Sequence, residues 1–262
     1  MRLAVVGASG RMGRAVVRLA HADGLAVVCA VGATDVGRDA GELAGIGAIG
    51  TCVVDGLAAI EHARADVVVD FSAPGATRAL APIAAAAGTA IVSGTTGLDE
   101  GAREALDRAA LRVAVLWEPN TSLGIHVLTR LVAQAVSALA DFDIEIVEMH
   151  HRAKVDAPSG TALRLAEAAQ NARTSPTHLV HGRQGARGAR GREEIGIHAL
   201  RGGDVIGDHV VCLAGGGERL ELAHRATSRD VFAHGALRAA RWIAGRPPGR
   251  YSLGDVVAPP AR

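Results

Sequence analysis

The stretch Arg2–Gly13, RLAVVGASGRMG, decides the fold. Its first half is a short apolar run of the kind that forms a buried strand, and a glycine-rich turn follows it directly. The next residues, Arg14–Ala22, have the spacing of a helix. Glycines at these positions let the backbone turn tightly and approach a diphosphate, which the amide dipoles at a helix start can bind. Because the pattern is GxxGxxG and not the stricter GxGxxG, a merely structural turn is the competing interpretation.

Short apolar runs alternate with helical runs through the first half of the chain. This alternation predicts a doubly wound parallel sheet of the Rossmann type, in which ligands bind outside the carboxyl ends of the strands. Three turns rich in small polar residues follow the predicted strands at that edge. Strands are expected at Leu25–Val31, Asp66–Phe71, Thr89–Ser93 and Arg112–Trp117, helices at Gly75–Ala87 and Asp99–Ala110, and the polar turns at Asp70–Pro74, Ser93–Gly97 and Glu118–Ser122.

The position that would bind the adenosine ribose of a dinucleotide carries no charge. An acidic side chain about 20 residues past the glycine turn usually binds the ribose of NAD. That position falls near Ala33, and Asp35 is the nearest acidic candidate. Arg11 or Arg38 could instead bind the extra phosphate of NADP. The choice between NADH and NADPH therefore stays open.

After Ser122 the pattern changes, which predicts a second domain. A long helix precedes an alternating strand, and the later strands are expected to be antiparallel, the last two joined as a hairpin by a turn of three glycines. The fold class is therefore α/β, with a Rossmann-like domain of residues 1–121 and 230–262 and a second α+β domain of residues 122–229 with a mostly antiparallel sheet. The expected elements are helix Leu123–Leu139, strand Phe142–His151, strands Glu194–Leu200, His209–Leu213 and Arg219–Arg225, helix Asp230–Ala244 and a tail, Tyr251–Val257, that rejoins the first domain.

The segment Glu145–Ala169 holds the densest group of reactive side chains. Lys154 is the single lysine among 28 basic residues, and the others are arginine. Arginine keeps its proton at any working pH, whereas lysine can release one, so a proton donor at this position could not be exchanged for arginine. His150 shares a strand face with Glu148, whose carboxylate could orient the imidazole. Chance would explain an isolated lysine, but a lysine beside two histidines favours a catalytic role.

The residues after Lys154 predict a binding site for a carboxylate. Pro158 to Thr161 open a helix that runs to about Ala172, with Ser159 as its N-cap. Capping alone would explain the serine. The amides of Gly160 and Thr161, together with the Thr161 hydroxyl, would also bind a carboxylate group.

Composition excludes several classes of function. A formal net charge of +1 gives no field that would recruit nucleic acid or an anionic membrane. No apolar run approaches the ~18 residues of a membrane-spanning helix, and the first residues do not resemble a signal peptide. The three cysteines are far apart in sequence, which argues against a disulfide framework or a zinc site and fits the cytoplasm. The segment Arg183–Arg192 is expected to be a solvated loop, with the option that it covers an anionic ligand.

Taken together, these segments resemble the 4-hydroxy-tetrahydrodipicolinate reductase family, also called dihydrodipicolinate reductase. The resemblance runs nearly from end to end, and the segment with two histidines, Lys154 and Pro-Ser-Gly-Thr is its most specific part. The sequences that carry it are GASGRMG at 7–13, DFSAP at 70–74, SGTTG at 93–97, EPNTS at 118–122, EMHHRAKVDAPSGTA at 148–162, RGGDVIGDH at 201–209 and HRATSR at 224–229.

The resemblance implies a role for each matching residue. His150 would be the proton donor or acceptor and Lys154 a proton donor, while His151, Gly160 and Thr161 would bind the substrate. Two departures concern the cofactor: the usual charged ribose contacts are Ala33 and Thr34 here, and the family's Ala-Pro-Asn-Phe-Ser is Glu-Pro-Asn-Thr-Ser. The implied cofactor-binding residues are Gly7, Ala8, Ser9, Gly10, Arg11, Met12, Ala33, Thr34, Gly94, Thr95, Thr96, Glu118, Pro119, Asn120 and Thr121.

The implied activity is reduction of a cyclic dicarboxylate imine by NADPH or NADH, in the synthesis of lysine and diaminopimelate. The resemblance also implies a homotetramer in the cytoplasm, with an interface built by the second domain. Two alternatives are a nicotinamide-binding redox sensor without turnover and a Schiff-base enzyme that uses the amine of Lys154. A serine hydrolase built on Ser159 is less plausible, because no nucleophile-elbow glycines surround that residue.

Overall fold

The computed structural model describes residues 1–258, and the chain divides into two compact units. The first unit joins Met1–Leu123 to Asp230–Arg262, and the second is Gly124–Arg229. The last four residues of the predicted first domain, 259–262, lie outside the described residues. In chain order the elements are β1 (Arg2–Val6), α1 (Arg11–Ala22), β2 (Ala26–Val31), α2 (Ala40–Leu43), β3 (Val53–Val54), α3 (Ala59–Ala63), β4 (Val67–Asp70), α4 (Pro74–Ala87), β5 (Ala90–Ser93), α5 (Glu100–Ala110), β6 (Ala114–Trp117), α6 (Leu123–Ala138), β7 (Asp143–His150), α7 (Gly160–Ala172), β8 (His178–His181), β9 (Glu194–Arg201), β10 (Gly207–Ala214), β11 (Arg219–Ala226), α8 (Asp230–Ile243), β12 (Gly249–Tyr251) and α9 (Leu253–Val257).

The first unit is built on a seven-stranded sheet in which every pairing is parallel. Its strand order is β12-β6-β5-β4-β1-β2-β3, which confirms the predicted doubly wound sheet. One face packs against α1 and α8, and the other against α3, α4 and α5. The order reverses between β1 and β4, so the turns after these strands border the crevice where such sheets bind ligands.

A buried carboxylate ties together the turns at this edge of the sheet. Asp70, at the end of β4, is fully buried. Four hydroxyl groups donate to it, from Ser72 at 2.5 Å, Thr77 at 2.6 Å, Ser93 at 2.8 Å and Thr95 at 3.0 Å. These donors belong to the turn after β4, the first turn of α4 and the end of β5. Asp70 therefore fixes two of the three predicted polar turns relative to each other.

The second unit contains a mixed five-stranded sheet of order β11-β10-β7-β9-β8. The pairs β7–β10 and β10–β11 are antiparallel, and the hairpin predicted for the last two strands is confirmed. The pairs β7–β9 and β8–β9 are parallel, so the sheet is less antiparallel than expected. The physical reason is the length of the connection between β8 and β9. Residues 182–193 are enough to bring the chain back along the sheet before β9 begins, so β9 can pair with β8 in the parallel direction.

The returning segment includes the arginine- and glycine-rich stretch Arg183–Arg192. Arg190 in this segment is not solvated as expected, because its side chain is only 17% exposed and binds Asp143 at 2.5 Å and Glu145 at 3.2 Å. It also donates to the backbone carbonyl of Glu194. Arg190 therefore anchors this segment to strand β7 and to the start of β9.

Strand β7 has the alternation that the sequence predicts. Ile144, Ile146, Glu148 and His150 are buried, while the residues between them are half-buried. The buried face packs with α6 and α7 in a single apolar core. The same period of two that buries two isoleucines also carries a carboxylate and an imidazole into the interior. Within residues 1–258, no helix has the length and apolar character needed to cross a membrane.

Replacing Asp70 with alanine should destabilise the first unit. Removal of the carboxylate leaves buried hydroxyl groups without an acceptor, which we expect to cost about 3 kcal/mol of unfolding free energy. Trp117 and Trp242 both belong to this unit, so urea unfolding followed by tryptophan fluorescence reports on it. Asp55→Ala removes an exposed carboxylate of the same unit and is the control. Equal unfolding midpoints for the two variants would contradict the prediction.

Candidate functional site

A fully buried carboxylate organises the candidate catalytic residues of the second unit. Glu148 lies on the inner face of β7. Arg201 donates to both of its oxygens at 2.8 Å, the Ser159 amide donates at 2.9 Å, and Nδ1 of His150 lies 2.6 Å away. Burial favours the neutral acid, but the hydrogen bonds from Arg201, His150 and Ser159 outweigh it and lower the pKa of Glu148. The carboxylate therefore stays ionised at the centre of the cluster.

The contact with Glu148 fixes how the His150 ring can act. Because an ionised carboxylate can only accept hydrogen bonds, Nδ1 of His150 is the donor to Glu148. The other ring nitrogen, Nε2, is left for proton transfer. His150 is 8% exposed. Its ring also meets the ring of His209 edge to face, with centroids 5.2 Å apart. The predicted partnership of His150 and Glu148 is thus confirmed as a contact, whereas the catalytic role stays a prediction.

Lys154 lies on the loop that follows β7. Its ammonium nitrogen is 2.8 Å and 2.9 Å from the two carboxylate oxygens of Asp156, and its side chain is 21% exposed. The hydrogen bond from Lys154 is the largest cause of the lowered pKa of Asp156. The Asp156 backbone carbonyl accepts a hydrogen bond from Arg201. Arg201 thereby connects the Lys154 loop to Glu148 and, through it, to His150.

The start of α7 has the form expected of an anion site. Ser159 is buried and caps the helix, since its hydroxyl accepts from the Ala162 amide at 3.2 Å. Gly160 is exposed and Thr161 is half-buried, and the first turn contains no acidic residue. The amide dipoles at this helix start favour a negative group. His151, on the same loop as Lys154, accepts at Nε2 from the Arg229 guanidinium at 3.2 Å.

His209 completes the cluster and was not singled out from the sequence. It is 3% exposed and its Nε2 lies 3.1 Å from the Ser159 hydroxyl. Among the described residues, its Nδ1 is a buried nitrogen without a hydrogen-bond partner. Burial, and then the nearby charge of His150, lower the pKa of His209 to about 4. His209 is therefore a neutral ring at ordinary pH that touches both His150 and the cap of α7.

The glycine turn of the first unit fits a dinucleotide. Gly7 has φ of +78°, and a Cβ there would lie 2.4 Å from the Phe71 carbonyl oxygen, so a side chain has no room. Helix α1 starts at the exposed Arg11. Its N-cap is Gly10, which has no side chain to accept hydrogen bonds from the first amides, and the first turn has no acidic residue. Within residues 1–258, Arg11 forms no ion pair. An uncapped helix start with a free cation suits a diphosphate.

The residues at the predicted ribose position lie beside this turn. The Thr34 hydroxyl donates to the Ser9 hydroxyl at 3.1 Å, and Ala33 and Thr34 are both exposed. Asp35 has φ of +58° and its carboxylate is paired with Arg14 at 3.1 Å and Arg38 at 3.3 Å. Two arginines next to a single carboxylate leave positive charge at this edge, which is compatible with either cofactor.

The other two predicted cofactor segments follow β5 and β6. A Cβ added at Gly94 would lie 2.1 Å from the Phe71 ring, so a side chain has no room there. The Thr95 carbonyl accepts a hydrogen bond from Trp117 Nε1 at 2.9 Å. Thr121 donates to the Phe232 carbonyl of α8 at 2.7 Å. The remaining predicted residues of these segments, Thr96, Glu118, Pro119 and Asn120, lie on the same two turns. The structure therefore assembles all of the predicted cofactor residues at one edge of the sheet.

Comparison with known proteins identifies the family. Residues 1–121 match the model of the dihydrodipicolinate reductase N-terminus, and residues 124–257 match that of its C-terminus. The 4-hydroxy-tetrahydrodipicolinate reductase of Alkalilimnicola ehrlichii is 49% identical, covering 98% of each chain. That of Halorhodospira halophila is 48% identical, covering 97% of this chain and 98% of the other.

The chain belongs to the dihydrodipicolinate reductase family. It is therefore an oxidoreductase, and the reductant of the family is NADH or NADPH. A dipicolinate-bound dihydrodipicolinate reductase from Paenisporosarcina sp. TG-14 has the same fold, with a TM-score of 0.80 over 98% of this chain and 99% of the other, at 24% identity.

Three residues of this candidate site were missed from the sequence. Arg201, His209 and Arg229 contact Glu148, Ser159 and His151, yet each lies 50 residues or more along the chain from the side chain it contacts. A signal was present, because all three fall within the segments that carry the family resemblance. Residue types alone did not separate them from ordinary strand residues.

The buried, neutral state of His209 predicts how stability depends on pH. Its folded pKa of about 4 lies below the ordinary value near 6.5, so between these values the unfolded chain binds a proton that the folded chain does not. Stability should therefore fall by about 2 to 3 kcal/mol as the pH drops from 7 to 4.5. Hydrogen exchange of β10 amides, corrected for intrinsic rates at each pH, measures this change.

His209→Gln should flatten this dependence, because glutamine does not titrate. The exposed His62→Gln is the control and should keep the wild-type slope. If His209→Gln also retains the full slope, the burial of a neutral His209 is not its source.

Proposed function

We propose that this chain catalyses the reduction of 4-hydroxy-tetrahydrodipicolinate to tetrahydrodipicolinate by NADH or NADPH, a step of lysine and diaminopimelate synthesis. The observation that carries the proposal is the buried cluster in which Glu148 orients His150, next to the loop that bears the single lysine. Full-length relatives named for this reaction support it. Membership in a family of reductases leaves the non-catalytic redox sensor without support.

The first unit is proposed to bind the reduced cofactor, which supplies a hydride to the ring carbon opposite the nitrogen. The backbone from Gly7 to Met12 would hold the diphosphate at the start of α1, with Arg11 as its counter-charge. Ala33 and Thr34 would border the adenosine ribose. The turns Gly94–Thr96 and Glu118–Thr121, one of them fixed by Asp70, would border the nicotinamide end.

The second unit is proposed to bind the cyclic dicarboxylate. The amides of Gly160 and Thr161 at the start of α7 would accept one carboxylate, because the helix dipole there is positive and the first turn has no acid. His151 would contact the substrate from the loop after β7. The structurally similar Paenisporosarcina enzyme binds dipicolinate, a cyclic dicarboxylate of the same chemical class as the proposed substrate.

Proton transfer is proposed to fall to His150 and Lys154. The 4-hydroxyl group must first leave as water, which gives an unsaturated cyclic imine. Negative charge then develops toward the ring nitrogen when the carbon opposite it is reduced, and the carbon next to the reduced one must gain a proton. Nε2 of His150 would carry that proton, since Glu148 accepts the hydrogen bond from Nδ1 and holds the ring in position. Lys154 would stabilise the developing charge or give the proton itself, and either assignment requires its ammonium to leave Asp156 for the substrate. Schiff-base chemistry needs a free amine, and here the Lys154 nitrogen is paired with the Asp156 carboxylate.

A cytoplasmic homotetramer is part of the same proposal. The three cysteines are free, as is usual in a reducing compartment. In the second unit, the sheet face opposite the α6 and α7 core carries a row of Ala223, Val210, Val147 and His198 that crosses four paired strands. Val210 and Val147 are only half-buried. A second copy of the chain would complete the burial of this face.

Lys154→Ala should lower kcat by ~100- to 10,000-fold, the range of a positioned acid, while direct binding of NADH and NADPH is preserved. Consumption of each cofactor is followed separately with freshly made substrate. Arg152→Ala removes a neighbouring exposed cation of the same loop and should stay close to wild type. A wild-type rate in Lys154→Ala would refute the assignment of this residue.

Val210→Glu should break the proposed assembly. A carboxylate on the exposed sheet face cannot be buried against a second copy without losing its hydration, so light scattering should give a smaller mass than for the wild type. The control is Arg108→Glu, a charge reversal at an exposed position of the first unit. A tetrameric Val210→Glu, or a monomeric wild type, would contradict the proposed interface.

A further inference from the structure

Cys29 lies on β2, and Cys52 directly precedes the neighbouring strand β3 at one edge of the first unit. Parallel strands β2 and β3 pair Ala30 with Val53 and Val31 with Val54. Continuing this register by one residue places Cys29 directly opposite Cys52. Both residues line the same groove, of about 520 Å³, together with His62 of α3. Neither thiol belongs to the proposed catalytic or binding residues.

The two thiols are on the same face of the sheet. Ala30 and Val53 are paired and both enter the core shared with α1 and α8, so the residues before them point to the opposite face. Cys29 packs there with the core of α3 and α4. Cys29 is 6% exposed, whereas Cys52 is exposed. The pair therefore combines one accessible thiol with one sheltered thiol.

The separation of paired strands matches that of a disulfide. Neighbouring strands lie about 4.8 Å apart, and bridged cysteines have Cα atoms about 4.4 to 6.8 Å apart. Strand β3 has two residues and is the last strand of the sheet. In the described part of the chain no further strand of the sheet lies beyond β3, and Cys52 forms an isolated bridge with Asp39. A small movement of this edge toward β2, together with the segment that holds Asp39, would bring the Cβ atoms to bonding distance.

Strand β3 is tied to the loop proposed to border the adenosine ribose. The Gly37 amide donates to the Val53 carbonyl and the Val53 amide to the Arg38 carbonyl, each at 2.8 Å, and the Gly32 amide donates to the Val54 carbonyl at 3.1 Å. These bonds bracket Ala33 and Thr34. A movement of β3 is therefore transmitted to both ends of that loop.

We propose that Cys29 and Cys52 form a reversible disulfide under peroxide and that this bond weakens nucleotide binding by the first unit. Hydrogen peroxide oxidises the exposed Cys52 thiol to a sulfenic acid, with loss of one water. The Cys29 sulfur then attacks the Cys52 sulfur, the S–S bond forms as the S–O bond breaks, and the hydroxyl takes the Cys29 thiol proton and leaves as a second water. A dithiol reductant reverses the bond. The part of this inference that concerns nucleotide rests on the proposed function.

The bond itself is tested by thiol counting and peptide mass after brief treatment of the full chain with hydrogen peroxide. We expect the titratable thiols of the denatured protein to fall from three to one, with a linked peptide pair that contains Cys29 and Cys52. Cys212→Ser should still form the link, whereas Cys52→Ser should not. A peptide with sulfinic acid on Cys52, or three remaining thiols, overturns the proposal.

The coupling is tested by direct titration of NADH and NADPH into reduced and oxidised protein, without substrate. We expect the oxidised protein to bind each cofactor at least about fivefold more weakly than the reduced protein, which is the lower end of ordinary coupling between two sites. Dithiothreitol should restore the affinity. Oxidised Cys52→Ser should bind as the reduced protein does. Equal affinity in the linked and reduced proteins overturns the coupling. Failure of the reduced protein to bind either cofactor would instead count against the proposed function.

Discussion

The ionised carboxylate of Glu148 is the constraint on which the second unit depends. Withdrawing this group from water is costly, and the strand that carries it permits no other orientation, because Ile144 and Ile146 occupy the same buried face. The cost is offset by Arg201, by the Ser159 amide and by His150, which together occupy both carboxylate oxygens. Arg201 ends β9, Ser159 is the N-cap of α7, and His150 ends β7 itself. One buried charge therefore fixes β9, the start of α7 and the His150 imidazole in a single arrangement.

Asp70 has a similar place in the first unit, but its partners are hydroxyl groups. Four short side chains converge on it from two strand ends and a helix start. Small polar residues are frequent in turns because their side chains form hydrogen bonds with the nearby backbone. Such bonds within one turn would not fix the position of that turn relative to another. A shared acceptor removes that freedom. The two units thus use the same device, a buried acid with converging donors, to make loops rigid where ligands are expected to bind.

The sequence was sufficient wherever a local period or a short-range rule decides the structure. The period of two along β7 predicted that Glu148 and His150 share a face, and Ser159 was recognised as an N-cap because capping involves residues three apart. The parallel direction of β9 was not predicted, since it depends on a connection of twelve residues with no periodicity of its own. Arg201 and His209 were missed because their contacts join residues some 50 positions apart. Nothing local distinguishes an arginine that will neutralise a buried acid from one that will face solvent.

The return of the chain to its first unit imposes an order on its synthesis. Helix α8 supplies Ala233, Ala236, Leu237 and Ile243 to the core on one face of the parallel sheet, and β12 adds its outermost strand. The part of that face that α8 covers stays exposed while the ribosome is still translating the second unit, whose residues are contiguous. The inserted unit can therefore mature first, and the nascent amino-terminal half waits, with an apolar surface exposed, for the final segment to emerge.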